Sequence, residues 1–213
     1  MPNIYGHEVE RTITDRSAFR EILGEPSPRT KEKVIDRVDE LARRFIATAP
    51  FAALATRRVD GGVDITPRGD PEGFAIVLDE KTIALPERPG NRRGDALENV
   101  LRDPHIGLLF IIPGHNDTIR VSGKATIVQD KNLAARMKVK SHTPELILLI
   151  EVQRLLCHCP KAFIRSSMWR PDGWPDTSNV PNLAELMIGH AELALTVEEM
   201  ATIIENDRQT RLY

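Results

Sequence analysis

FAALATRRVDGGVDITPRGD, residues 51–70, reads as two short strands folded back on each other. Small apolar residues run to Arg57, the Asp60-Gly61-Gly62 triplet supplies turn chemistry, and the chain returns through VDITPRGD. The same grammar recurs next to it. GFAIVLD (73–79) and KTIALP (81–86) flank the tight Asp79-Glu80 connection and read as a second hairpin. Further on, GLLFIIPG (107–114) is a continuous apolar run suited to a buried strand. DTIRVSGKATIV (117–128) sets Ile119, Val121 and Ala125 against Thr118, Arg120, Ser122 and Lys124, which predicts one wet face. ELILLIEVQRLLCHC (145–159) reads as a long strand. About six strands with hairpin connections and one inserted helix predict a mainly β (α+β) fold, a small antiparallel barrel whose closure removes exposed edges.

Outward from these strands the period changes to that of helices. DRSAFREIL (15–23) and TKEKVIDRVDELARRFIAT (30–48) read as helices, the second with Val34, Val38, Leu41 and Phe45 three or four apart and Thr30 as its cap. Between the barrel strands, Asn91 is positioned to cap a helix carrying Ala96, Leu97, Val100 and Leu101, which Pro104 stops. KNLAARMKV (131–139) and KAFIRSSMW (161–169) predict two more. The tail WRPDGWPDTSNVPN is loop chemistry, followed by helices over NLAELMIGH and TVEEMATIIEND, the latter with Thr196 as cap and Glu199 in the capping-box position.

Composition narrows the function. The 213 residues carry 29 Lys and Arg against 31 Asp and Glu, a net charge of −2, so no global basic excess holds nucleic acid or an anionic membrane. Ten aromatic residues (six Phe, two Tyr, two Trp) are too few for base-stacking platforms. A chain 41% hydrophobic and 28% charged should bury a core, and no run of 18 apolar residues occurs. The charged start MPNIYGHEVERTITDR lacks a signal-peptide core, and the expectation is a cytoplasmic protein. Regular βαβ alternation, G-x-G-x-x-G and Walker sequences are absent, so a nucleotide would need another cradle. The histidines His7, His105, His115, His142 and His190 are scattered without a hydrolase motif. His158 sits between Cys157 and Cys159, but strand alternation sends it to the opposite face, and no metal site is expected.

The sharpest local feature is Arg88-Pro89-Gly90-Asn91-Arg92-Arg93, placed before a helix. Helix-start amides and adjacent guanidinium groups together suit a phosphate, which would relieve the repulsion of three close arginines. A solvated basic loop is the plain alternative.

Four motifs in order, Thr66-Pro67-Arg68-Gly69-Asp70, Pro86-Glu87-Arg88-Pro89-Gly90-Asn91-Arg92-Arg93, the GLLF strand and Thr118-Ile119-Arg120-Val121-Ser122-Gly123-Lys124-Ala125, resemble the flavin split-barrel family typified by pyridoxamine 5′-phosphate oxidase. The likeness spans roughly residues 50–170. It is greatest to relatives with a PRGD strand end and a P-x-R-P-G-N-R-R loop. The resemblance implies a six-stranded antiparallel split β-barrel with peripheral helices, a homodimer, and FMN at the subunit interface. It assigns Asn91, Arg92 and Arg93 to the FMN phosphate with Arg88 assisting. Thr66, Pro67 and Arg68 would follow the ring and ribityl chain, and Pro86 and Glu87 would give backbone contacts. Thr118 and Arg120 would stand near the ring. Cys159 to Trp169 continues the likeness, with Arg165 and Trp169, four apart on one helical face, covering the flavin or sealing the dimer.

The oxidase's own carboxy-terminal substrate-phosphate signature is missing, which argues against vitamin B6 oxidation. The implied activity is an FMN-dependent oxidoreductase acting on a small molecule, with no catalytic residue assigned. A non-enzymatic flavin carrier or sensor, or a split barrel using deazaflavin or haem, are the alternatives. The expected organisation is a helical segment (1–49) packing on the barrel, the FMN-binding domain (50–170), and a loop with helices (171–213) serving as an accessory lid or dimer arm.

Overall fold

The computed structural model describes residues 1–213, which divide into two compact units, Met1–Val34 and Ile35–Tyr213. In the first, β1 (Asn3–Ile4) and β2 (His7–Glu8) form a two-residue antiparallel pair that no periodicity announces. Helix α1 (Arg16–Leu23) starts where Asp15 accepts the Ala18 amide at 2.9 Å, and α2 (Pro28–Glu32) begins at a proline.

The single helix expected over 30–48 is instead broken in two, and Thr30 lies inside α2 rather than capping it. The second piece, α3 (Glu40–Thr48), starts afresh on Asp39, whose carboxylate accepts the Ala42 amide at 2.8 Å. Sheet pairing overrides helix propensity between them. Ile35 exchanges two backbone hydrogen bonds with Leu155, and the Val38 amide donates to the Glu80 carbonyl.

Seven strands make the main sheet: β3 (Phe51–Arg57), β4 (Val63–Gly69), β5 (Ile76–Val77), β6 (Thr82–Pro86), β7 (His105–Ile111), β8 (Thr118–Val128) and β9 (Ile147–His158). Every pairing is antiparallel, in the order β4-β3-β7-β8-β9-β6-β5. The fold is therefore a mixed α/β one, a multi-stranded antiparallel sheet with peripheral helices. Its hydrogen-bonded series has two ends, at β4 and β5, where the sequence predicted a closed barrel of about six strands. At the β3–β4 turn, Gly61 takes a φ of 85°, and the Arg58 guanidinium with the Gly62 amide holds the Asp60 carboxyl down to about 2.

The inner face of the sheet carries Leu54, Leu108, Phe110, Val121, Ile150 and Val152, closed over by Ala42 and Ile46 of α3 and by Ala96 and Val100 of α4 (Asp95–Arg102). A second cluster joins Ala84 and Ile147 to Leu133, Ala134 and Met137 around α5 (Lys131–Arg136). β6 feeds both clusters with successive residues, so KTIALP reads as a continuous apolar run. Gly123 lies at a register shift between β8 and β9, where a Cβ would stand 1.9 Å from the Glu151 carbonyl oxygen.

Helix α4 departs from expectation at its start. Gly94, in the left-handed region at φ 68°, occupies the cap position, while Asn91 turns inward on its own loop and accepts the Arg93 amide at 3.0 Å. Buried Asn99 fastens the helix to the sheet through Thr56 and Asp64, at 3.1 and 2.8 Å. Helix α6 (Lys161–Arg165) is also shorter than predicted, because Ser167 adopts a φ of 52°; Arg165 and Trp169 therefore do not share a helical face. Helices α7 (Leu183–Ala191) and α8 (Val197–Arg211) both open with complete capping boxes, including the expected Thr196 and Glu199. No helix is long and apolar enough to cross a membrane.

Candidate functional site

Period-2 alternation on β4 turns Thr66 and Arg68 to the inner side, opposite Leu54 and Ala52 of β3, and leaves Ile65 and Pro67 on the outer side. Beyond β6, the loop from Glu87 to Gly94 leads to α4 and borders the same space as those two side chains, with Glu87 bonded to Arg68. Between loop and strand lies a cavity of about 470 Å³, lined by Thr66, Pro67, Arg68, Pro86, Glu87, Arg88, Asn91 and Arg93 among the predicted residues. Residues 18 and 19 apart in sequence pair there, Asp70 with Arg88 and Arg68 with Glu87, because β4 and the loop after β6 border the same cavity.

The arginines are not left to repel one another. Arg68 donates to Glu87 at 2.6 Å, Arg88 pairs with Asp70, and Arg93 pairs with Asp95 at 2.8 Å. The cavity walls thus balance three guanidinium groups with three carboxylates, so net attraction does not distinguish a ligand there. Unused hydrogen-bonding capacity does. Thr66 Oγ1, Arg68 Nε and Arg88 Nη1 are buried without any partner, all three on residues that line this cavity. Such atoms cost free energy unless a ligand or water satisfies them. The volume lies in the range of small-ligand pockets, about 300 to 1,000 Å³.

Three contributors escaped the sequence reading. Asp70 belongs to the PRGD motif yet was given no role; its side chain is only 2% exposed and organises Arg88. Met137 offers its carbonyl to Arg88 Nη2 at 2.7 Å. Tyr213 donates its hydroxyl to Asp70 Oδ1 at 3.0 Å and, with Leu212, forms one wall of the cavity. Burial, then the hydrogen bond to Asp70, pushes the Tyr213 phenol above its ordinary range, so it remains a donor at neutral pH. Asp70 could have been found from its motif. Tyr213 has no local signal.

The remaining predicted residues lie elsewhere. Arg92, at φ 61°, lines a second cavity of about 440 Å³ behind the same loop, together with Arg88, Asn91 and His142. Thr118 and Arg120 are on β8, whose pairing aligns Arg120 with Leu109 on the outer face of the sheet. Trp169 stacks on Phe163 with centroids 5.8 Å apart and donates to the His115 carbonyl at 2.9 Å, holding the end of α6. Arg165 does not line either cavity.

The model of a protein family described as pyridoxamine 5′-phosphate oxidase matches residues 38–159. No curated protein matches the chain. Among solved structures, a putative pyridoxamine 5′-phosphate oxidase from Lactobacillus delbrueckii is 22% identical, with a TM-score of 0.45, covering 57% of this chain and 95% of its own. An FMN-binding protein from Syntrophomonas wolfei is 16% identical, with a TM-score of 0.45, covering 68% and 94%. HupZ of Group A Streptococcus is 19% identical, with a TM-score of 0.44, covering 55% and 91%.

Proposed function

We propose that this chain, which belongs to the pyridoxamine 5′-phosphate oxidase family, is an FMN-binding homodimeric oxidoreductase acting on a small molecule, of the kind whose members carry PRGD and P-x-R-P-G-N-R-R motifs. The observation that carries the reading is the set of three partnerless buried polar atoms, on Thr66, Arg68 and Arg88, around one cavity already bordered by the motif residues. They fit a polyhydroxylated, phosphorylated ligand, which offers acceptors to both guanidinium nitrogens and a hydroxyl to the threonine.

Bound FMN supplies two-electron transfer through its isoalloxazine ring. The chain's own residues bind and orient. Asn91 and Arg93 would take the phosphate with Arg88 beside them, and Arg92, which lines the adjoining cavity, would complete the basic triplet. Thr66, Pro67 and Arg68 run along the ribityl chain and ring, while Pro86 and Glu87 contribute backbone groups. A cation held near the ring stabilises the negative charge of its reduced form, a role open to Arg68 or Arg120.

A second copy completes the site. Phe51, Ala53 and Ala55 of β3, Leu109 and Ile111 of β7, and Val63 and Ile65 of β4 align by register on the outer face, with Val63 63% and Ile65 71% exposed. Such a contiguous apolar surface is characteristic of an interface. Arg120 shares that face by register and its Nε is buried without a partner, while Thr118, two residues before it on β8, is 3% exposed; on this reading Arg120 would serve the partner's flavin rather than its own chain's cavity, with Thr118 beneath it. Arg165 and Trp169 would cover the ring from the partner in the same way.

The test is flavin content. The purified protein is expected to be yellow, and the Arg92→Ala, Arg93→Ala double variant to lose retained FMN, each charge-assisted hydrogen bond contributing about 1.5 to 3 kcal/mol. Arg93 is 72% exposed, so the substitution leaves the core intact. Unchanged FMN content in the double variant defeats the reading. Anaerobic reduction by NADH or NADPH, with and without acceptors, separates turnover from a carrier role.

A further inference from the structure

Arg88 is held at two of its three guanidinium nitrogens. Nε donates to Asp70 Oδ2 and Nη2 donates to the Met137 carbonyl at 2.7 Å, while Nη1 is buried without an acceptor. Because the guanidinium is planar, fixing two nitrogens fixes the direction of the third. Asp70 is in turn held from both sides: Oδ2 accepts from Arg88 and Oδ1 accepts from the Tyr213 hydroxyl at 3.0 Å. The ring of Tyr213 is itself steadied by Lys140, whose Nζ lies 5.0 Å from the ring centroid. The result is a relay from Tyr213 through Asp70 to Arg88 that ends on a partnerless donor of a residue lining the cavity.

We propose that Tyr213 is a positioning residue for the phosphate end of the cavity: it fixes Asp70, and thereby directs Arg88 Nη1 toward the ligand's phosphate group. The proposal rests on the FMN reading above and extends it to a residue outside the family's matched span of 38–159. Without the phenol hydroxyl, Asp70 Oδ1 loses its donor in a site where the carboxylate is almost wholly shielded from water. A buried charged acceptor left short of a donor reorients to recover one, and Arg88 moves with it. The isoalloxazine and ribityl portions do not depend on that relay.

Tyr213→Phe removes the hydroxyl and keeps the ring against Lys140 and the cavity wall, so the fold is preserved. The full chain, stripped of flavin, is titrated with FMN and separately with riboflavin, following flavin fluorescence. Tyr213→Phe is expected to raise the FMN dissociation constant about three- to tenfold, the effect of one hydrogen bond, and to leave that of riboflavin unchanged. Equal FMN affinity in the two proteins overturns the proposal, as does a parallel loss for FMN and riboflavin, which would mean general damage to the wall. Failure of the unsubstituted chain to bind either flavin overturns the FMN reading itself.

Discussion

Arg88 shows how one side chain joins stability to binding. Its ion pair with Asp70 is buried, at 13% and 2% side-chain exposure, and a buried pair is most costly when broken from one side. Arg88→Ala would strand the Asp70 carboxylate with only the Tyr213 hydroxyl, and is expected to destabilise the chain by about 3 kcal/mol or more. Denaturant unfolding with and without FMN measures this; a change below about 1 kcal/mol would mean that Asp70 finds water instead. The pairing partners were not readable from sequence. The crowding of Arg88, Arg92 and Arg93 suggested a need for a bound anion, yet Asp70 and Asp95 already neutralise two of the three. Motif order located the basic loop, whereas the three-dimensional neighbours of each guanidinium decided how much charge it had left to offer.

Among the elements, β8 and β9 form the longest ladder in the sheet and depend on the irregularity at Gly123. A Cβ there would meet the Glu151 backbone at 1.9 Å, and backbone does not yield as a flexible side chain does. Gly123→Ala is therefore expected to cost about 3 kcal/mol or more, or to prevent folding, measured by thermal or denaturant unfolding. A near-neutral result would show that the two strands can shift register there. Strand positions were largely legible, since alternation and apolar runs follow directly from the period of two. Helix limits were less so. The pattern over 30–48 continues a 3.6 period through Ile35 and Val38, but both residues give their backbone groups to the sheet region, so periodicity alone overran the break. Asn91 likewise had the chemistry of a cap and used it within its own loop, leaving the cap position to Gly94.

For the whole molecule, the outer sheet face bearing Val63 and Ile65 is the surface on which dimerisation depends in the reading proposed above. Ile65→Glu, on the exposed side of edge strand β4, is expected to shift sedimentation from dimer to monomer and to lower FMN retention together, since a charge buried within an apolar interface is strongly disfavoured. A dimer unaffected by this substitution would move the interface elsewhere. The amino-acid order alone determined the strand-forming runs, the tight turns, the helix caps at Thr196 and Glu199, and the basic loop, because each depends on neighbours within a few residues or on a short repeat. Only the tertiary structure decided that Tyr213 meets Asp70 across 143 positions, that Arg92 and Arg93 line different cavities, and that Thr118 and Arg120 occupy the opposite face from Thr66 and Arg68. Those outcomes depend on the path of the backbone between distant segments, which packing of the whole sheet selects and no local period encodes.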